Sequence, residues 1–334
     1  MIGKERSRSR ISNGWKVLLW LVALGLPLTA CVGAPAQETY TIGVVNLSPL
    51  QDGTVEGFKE GMTELGYVEG ENVTYLYDGA TDSIDELDVV AQGLVEADVD
   101  LILSLTTPAT QAAQRATAGT DIPVVFVPVT DPVGAGLVES LKHPGGNITG
   151  VTFGAQEERR LAWLMQVVPT IEQIYIPYNP EDRSAVLALE TVSEAATTLG
   201  VELITREAST PDQVADAFAN IPERADAIFF LPDSLINDRV DDWVQMAIEL
   251  GLPTSAPNLA AVEEGHLTTY GLDLEVAARE KAARLADQIL QGIKPADLPV
   301  ETGEFYSAIN LKTAKAIGVD VPDEILLQAD VIVR

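Results

Sequence analysis

Apolar runs of five to seven residues recur along this chain, and segments of helical apolar spacing separate them. The runs include TIGVVNL from Thr41, DLILSL from Asp100, PVVFV from Pro123, QIYIPY from Gln173 and AIFFLP from Ala227. Runs of that length bounded by turn residues predict buried strands. Between them, Val55, Phe58, Met62 and Leu65 fall on one helical face, as do Val186, Leu189, Val192 and Leu199. Val240, Trp243, Val244, Ala247 and Ile248 repeat the pattern. Leu65-Gly66, Leu199-Gly200, Leu250-Gly251 and Ile317-Gly318 each set glycine just past the last apolar residue, a C-terminal stop signal.

Strand, helix, glycine, strand is the rhythm of right-handed parallel crossovers. It runs twice, from about Thr41 to Thr149 and from about Gln173 to Asn258. GNITGVTF from Gly146 predicts a first crossing between two lobes. The chain returns through His266–Asp273 and a long helix over Glu275–Gln291, then crosses again near Pro299–Ser307. These crossings predict one lobe of residues 40–150 plus about 271–302 and another of 151–270 plus about 303–334. Two doubly wound lobes joined in this way leave a cleft suited to hinge closure around a small ligand.

The N-terminus follows a different pattern. Met1–Lys16 carries Lys4, Arg6, Arg8, Arg10 and Lys16, and the apolar run VLLWLVALGLPLTA follows at 17–30. A membrane span needs about 20 apolar residues, so this shorter run fits the apolar core of a signal peptide over 1–30. Leu28-Thr29-Ala30-Cys31 resembles the lipobox of bacterial lipoproteins, and Cys31 is the only cysteine among the 334 residues. A lone thiol in a secreted chain has no internal disulfide partner, which agrees with lipidation at Cys31. Residues 31–39 then form the lipidated end and a small, polar tether. The expected location is extracytoplasmic, lipid-anchored to the cell membrane.

The formal net charge is −29. Residues 1–30 hold five of the 21 basic residues and one of the 50 acids, so the rest of the chain carries −33. Such acidity repels phosphate backbones and argues against a nucleic-acid partner. Phosphate-loop, dinucleotide and nucleophile-elbow motifs are absent, and neither His143 nor His266 lies in a metal-spaced pattern. No cofactor, metal or catalytic residue is expected.

The remaining polar chemistry sits at predicted strand ends, where ligands bind in open parallel sheets. In the first lobe these are Asn46 and Ser48, then Thr106 and Thr107, then Asp131. In the second they are Asn179 and the Asp233-Ser234 pair. A hydroxyl before a helix, as at Thr107, suits a carboxylate, and an acid such as Asp131 suits an ammonium. Singly, Thr107 could equally cap the helix over Ala109–Ala116, and Asp131 could equally open a turn before Pro132. Their recurrence on both lobes favours a site for a zwitterion.

Six segments carry a resemblance to the substrate-binding lipoproteins of ABC transporters, in the family whose members include aromatic amino-acid binders. They are EGFKEGMTELGYVEGENV from Glu56, TTPATQAAQ from Thr106 and IPVVFVPVTDPVGAGLVESLKHPGGNITGV from Ile122, then YNPEDRS from Tyr178, GHLTTYGLDL from Gly265 and INLKTAKAIGVDVP from Ile309. The resemblance implies a type I periplasmic-binding-protein fold: α/β, two Rossmann-like doubly wound lobes, a three-segment hinge and no catalysis. It points to Thr107, Asp131, Asn179 and the Asp233-Ser234 loop, adds Ser184 as a commonly present serine, and places Asp273 as the hinge-side acid. It also implies a monomer that delivers an amino acid or derivative to a permease and its ATPase. A lipoprotein sensor, or a binder of a nucleoside or sugar, is the alternative.

The chain departs from the family pattern along one wall. NLSPLQD at Asn46–Asp52 lacks aromatic or histidine residues, Asn258 stands where an acid is frequent, and Leu274 replaces an aromatic residue. These positions leave the ligand's side chain open.

Overall fold

The structure is a computed structural model that describes residues 38–334 except 82 and 155. The expected signal peptide, most of the tether and Cys31 lie outside the described residues.

The first sheet is built by β1 (Tyr40–Asn46), α1 (Asp52–Glu64), β2 (Val73–Leu76), α2 (Ile84–Glu96), β3 (Leu101–Leu105), α3 (Thr107–Ala116), β4 (Val124–Val129) and β5 (Ile148–Thr152). The second begins with α4 (Glu157–Val167), β6 (Gln173–Tyr178), α5 (Arg183–Leu199), β7 (Glu202–Glu207), α6 (Pro211–Ala219) and β8 (Ala227–Phe229). It continues with α7 (Ser234–Asn237), α8 (Val240–Leu250), β9 (Thr254–Ser255), α9 (Leu259–Glu264) and β10 (Thr268–Leu272). The chain then returns to the first lobe with α10 (Leu274–Ala277), a π-helical turn over Ala278–Ala282, α11 (Ala283–Leu290) and β11 (Glu301–Thr302). It ends in the second with β12 (Phe305–Asn310), α12 (Leu311–Ile317), α13 (Asp323–Leu326) and β13 (Val331–Val333).

The strand orders are β11-β5-β4-β3-β1-β2 and β13-β12-β10-β9-β8-β6-β7. Every pairing is parallel except β10 with β12. The two-lobed α/β architecture expected from the sequence rhythm is therefore the one observed. Each order reverses direction once, between β1 and β3 in one sheet and between β6 and β8 in the other. Ligands bind at such switch points, beyond the carboxyl ends of the strands. The loops after β1, β3, β6 and β8 carry Ser48, Thr106, Asn179 and Asp233, while Asp131 follows β4, Asn258 follows β9 and Asp273 follows β10.

Helices cover both faces of each sheet, which is why β3 and β4 are buried along their whole length and apolar but for Ser104. One core of the first lobe joins Val44, Leu103 and Val125 to Phe58 of α1 and Leu285 of α11. The opposite face joins Ile102 and Phe126 to Leu87 of α2 and Ala112 of α3. In the second lobe, Trp243 of α8 is fully buried against Phe218 and Phe230. The helices start and stop on local signals. Asp182 accepts from Ser184 N at 2.9 Å to open α5, and Gly200, at φ 74°, closes it in the left-handed conformation.

Helix α1 meets the returning segment backbone to backbone. A Cβ on Gly57 would lie 2.5 Å from Glu275 O, and one on Gly61 would lie 2.2 Å from Arg279 O. Glycine at these two positions, one helical turn apart, is what lets the two helices touch.

Candidate functional site

A cavity of about 60 Å³ lies between the lobes at their strand ends. It brings together Ser48, Thr106 and Thr107 of the first lobe with Ser184, Asp233, Ser234 and Asn258 of the second. Thr130, at the end of β4, lines it as well.

Its first-lobe wall carries three hydroxyls with no hydrogen-bond partner, those of Thr106, Thr107 and Thr130, all buried. Buried polar side chains are nearly always paired, so three orphans around one cavity mark it as a place that receives a polar group. Capping does not account for the pair at α3. The helix begins at Thr107 itself, Thr106 is the N-cap, and neither side chain caps the helix. Thr106 has φ 82° and ψ 159°, a conformation that few residues besides glycine adopt and that costs about 1–3 kcal/mol. The N-terminus of α3 opens beside the same cavity, where Thr106 and Thr107 line it, and a helix N-terminus favours an anion.

The second-lobe wall is built on two buried carboxylates. Asp182 and Asp233 are 1% and 2% exposed. Asp233 Oδ2 accepts from Asn179 N at 2.5 Å and Oδ1 from Ile236 N at 3.1 Å. Asp182 Oδ1 accepts from Ser184 N and from Ser184 Oγ at 2.5 Å, and Oδ2 accepts from Ser234 N at 3.4 Å. Burial, and then the charge of Asp182, push Asp233 up to about 8. Burial also raises Asp182 against the hydrogen bonds from Ser184, Ser234 and Ala185. Two carboxyls buried together cannot both ionise cheaply, so the pair retains a proton near neutral pH.

Other candidates sit around this cavity in supporting positions. Asn46 donates to Tyr77 OH at 2.9 Å and accepts from Ser48 N at 3.1 Å, which shapes the loop after β1. Asn179 Oδ1 accepts from Glu181 N and turns the loop after β6. Asn258 caps α9 and Asp273 caps α10, each through a side-chain oxygen. Asp131 is placed elsewhere. Its Oδ1 accepts from Val133 N at 3.1 Å and Gly134 N at 2.8 Å, closing the turn at Pro132, and it lines a different cavity. The turn read for Asp131 is formed.

The Pro257-Asn258 edge of the cavity is held from behind. Gln156 Nε2 donates to Pro257 O at 3.3 Å, and Arg160 Nη1 donates to Ser255 O at 3.2 Å. Arg160 is fully buried, paired with Glu157 and set over the Phe229 ring at 3.8 Å. Burial lowers its pKa, and Glu157 opposes that shift. Breaking such a pair leaves a buried charge, so this group fixes the loop.

Sequence reasoning did not single out Asp182 or Asp238. Asp182 carries an N-cap signal ahead of α5, but its neighbour Asp233 is far away in the chain. Asp238 follows the short helix α7 and bonds Ser48 across the cleft at 2.5 Å. No local pattern announces it.

Residues 42–333 match the profile of the family described as ABC transporter substrate binding protein. The chain is 30% identical over 285 residues to the tyrosine-binding protein of Clostridioides difficile, covering 84% of this chain and 82% of that one. It is similar to the crystal structure of a conserved domain protein from Vibrio cholerae, at TM-score 0.82 and 28% identity, covering 89% of this chain and 99% of that one. A domain from Streptococcus pneumoniae in complex with L-Trp superposes at TM-score 0.83, with 26% identity and coverage of 89% and 100%. A ligand-free, open structure of a substrate-binding protein from Clostridium difficile, also 26% identical and covering 89% and 99%, superposes at TM-score 0.65. With the match running through both lobes and the site between them, the chain belongs to the ABC transporter substrate-binding protein family.

Proposed function

We propose that the cleft binds an amino acid or a close derivative and that the loaded protein hands it to a membrane permease driven by an ATPase. Thr106, Thr107 and Thr130, with the first turn of α3, receive the carboxylate. Asp233, backed by Asp182, receives the ammonium, the role that sequence alone suggested for Asp131. The single observation that carries the reading is the set of three unpaired hydroxyls that share one cavity with the buried Asp233. The relatives that bind tyrosine and L-Trp support the solute class. The higher TM-score with the L-Trp complex than with the open form supports a closed arrangement of these lobes. Signal-peptide cleavage and lipidation at Cys31 would hold the protein at the outer face of the membrane.

The test is a thermal-shift screen of the purified chain against amino acids, nucleosides and sugars, because a ligand that binds the folded state raises its melting temperature. At least one amino acid is expected to shift it. Thr107→Val and Asp233→Asn should each weaken that ligand about tenfold or more, as for hydrogen bonds to charged groups. Asp131→Asn should leave its affinity unchanged. A screen in which only sugars or nucleosides respond overturns the amino-acid reading.

A further inference from the structure

Next to the central cavity, and sharing Leu50, Asn237, Pro257 and Asn258 with it, lies a larger one of about 180 Å³. Its walls divide by chemistry. Leu50, Val240, Leu259 and Leu274 supply aliphatic surface, and among the described residues no phenylalanine, tyrosine or tryptophan lines it. Four carboxylates line it, those of Glu263, Glu264, Asp273 and Glu275, with no lysine or arginine among the lining residues. Among the described residues none of the four forms an ion pair. Burial, and then the charges of Asp241 and Glu263, raise the pKa of Glu264, so this rim carries like-charge repulsion that a cation would relieve. Asp273 is engaged in capping α10, and Glu275 lies over the first turn of α1, 3.9 Å from where a Cβ on Gly53 would sit. Glu263 and Glu264 have no such structural task.

A second observation points the same way. His266 lines this cavity, is 2% exposed, and packs edge-on against Phe230 at 4.7 Å, yet its Nδ1 has no partner. Burial, and then the Arg160 charge, push its pKa down to about 3, so the ring is neutral and does not repel a cation. The wall therefore offers an uncharged polar group, an aliphatic lining and a rim of acids.

We propose that this second cavity takes the side chain of the bound amino acid, and that this side chain is long, aliphatic and ends in a cation, as in lysine or arginine. The proposal rests on the amino-acid reading of the central cavity. The alkyl stem lies along Leu50, Val240 and Leu274, and the charged end reaches Glu263 and Glu264 at the exposed rim, as long basic side chains do elsewhere. Leu274 adds to the aliphatic surface of this wall, which suits an alkyl stem.

Calorimetry on the full chain with L-lysine, L-arginine, L-norleucine and L-tyrosine tests it. Norleucine has the lysine stem without the charge. Lysine or arginine should bind about tenfold or more tightly than norleucine, and the preference should fall as salt is raised, because rim charges are screened. The variant Glu263→Gln/Glu264→Gln should bring lysine and arginine to the norleucine level and leave norleucine unchanged. Norleucine or tyrosine binding as tightly as the basic amino acids, or a variant that keeps the preference, overturns the proposal and leaves the amino-acid reading standing. If none of the four binds, and the wider screen finds no other amino acid, that reading fails and takes the proposal with it.

Discussion

Ser48 Oγ donates to Asp238 Oδ1 at 2.5 Å, and the two residues belong to opposite lobes, 190 positions apart in the chain. The bond closes one side of the cleft without occupying it, since Asp238 lines a neighbouring cavity and not the central one. Asp238 is drawn out of water to make it, and burial raises its pKa while Ser48 opposes the shift. A bond of this kind biases the lobes towards closure, and a closed population raises apparent affinity.

Asp238→Ala should therefore weaken ligand binding about tenfold, the value of one hydrogen bond to a charged group, without removing a ligand contact. Small-angle scattering should show a larger radius of gyration for the ligand-free variant than for the ligand-free parent. Unchanged affinity and unchanged radius would mean that the bond is incidental to closure.

Thr106 holds a backbone conformation suited to glycine while placing a hydroxyl in the site. Thr106→Gly should raise stability by about 1 kcal/mol in urea unfolding, because the strain released exceeds the entropy that glycine adds to the unfolded chain. The same variant should bind the ligand more weakly. A substitution that stabilises the fold and weakens function is the signature of strain kept for a site.

The Asp182–Asp233 pair makes both binding and stability depend on pH. Asp233, pushed up to about 8, carries its proton through most of the neutral range, and an arriving ammonium must displace it. Affinity should rise with pH, by up to about tenfold per unit, until pH 8 and then level off. Stability runs the other way. A carboxyl whose folded pKa lies above the unfolded value of 3.8 favours the fold at low pH, and that contribution fades as pH climbs towards 8. Melting curves from pH 4 to 9 should show this decline in the ligand-free parent and a flatter profile in Asp233→Asn.

The fold was legible because its signals are local. Leu199-Gly200 and Leu250-Gly251 end helices as expected, and β3, β4 and β6 coincide with the apolar runs. Strand β7 is different. It is an edge strand, largely exposed, so Glu202–Glu207 shows no apolar run and only Gly200 ahead of it signals a strand. The site was legible in kind and less so in detail. Polar residues after β1, β3 and β8 mark the switch points, and Ser48, Thr107 and Asp233 meet there. That Asp233 rather than Asp131 would join a buried acid pair was not readable, since each is an acid beside a proline at a strand end. What separates them is the company each keeps in space. Asp131 finds the backbone of its own turn, while Asp233 finds Asp182 from another strand end. Asp238 stayed hidden because its role exists only between lobes.

The glycine seam between α1 and the returning helix has a mechanical consequence. Contact between backbones cannot shear by switching rotamers, so α1, α10 and α11 must turn together as one stiff arm. Relative rotation of the lobes is left to the three short crossings, at Phe153-Gly154, at Asp273 and at Gly303-Glu304. Two of these contain a glycine, Gly154 at φ 66° and Gly303 against Leu272. The stiff arm carries Glu275 at one end, directly beside the pivot at Asp273. The larger cavity therefore reaches the pivot itself, since Asp273 and Glu275 both line it.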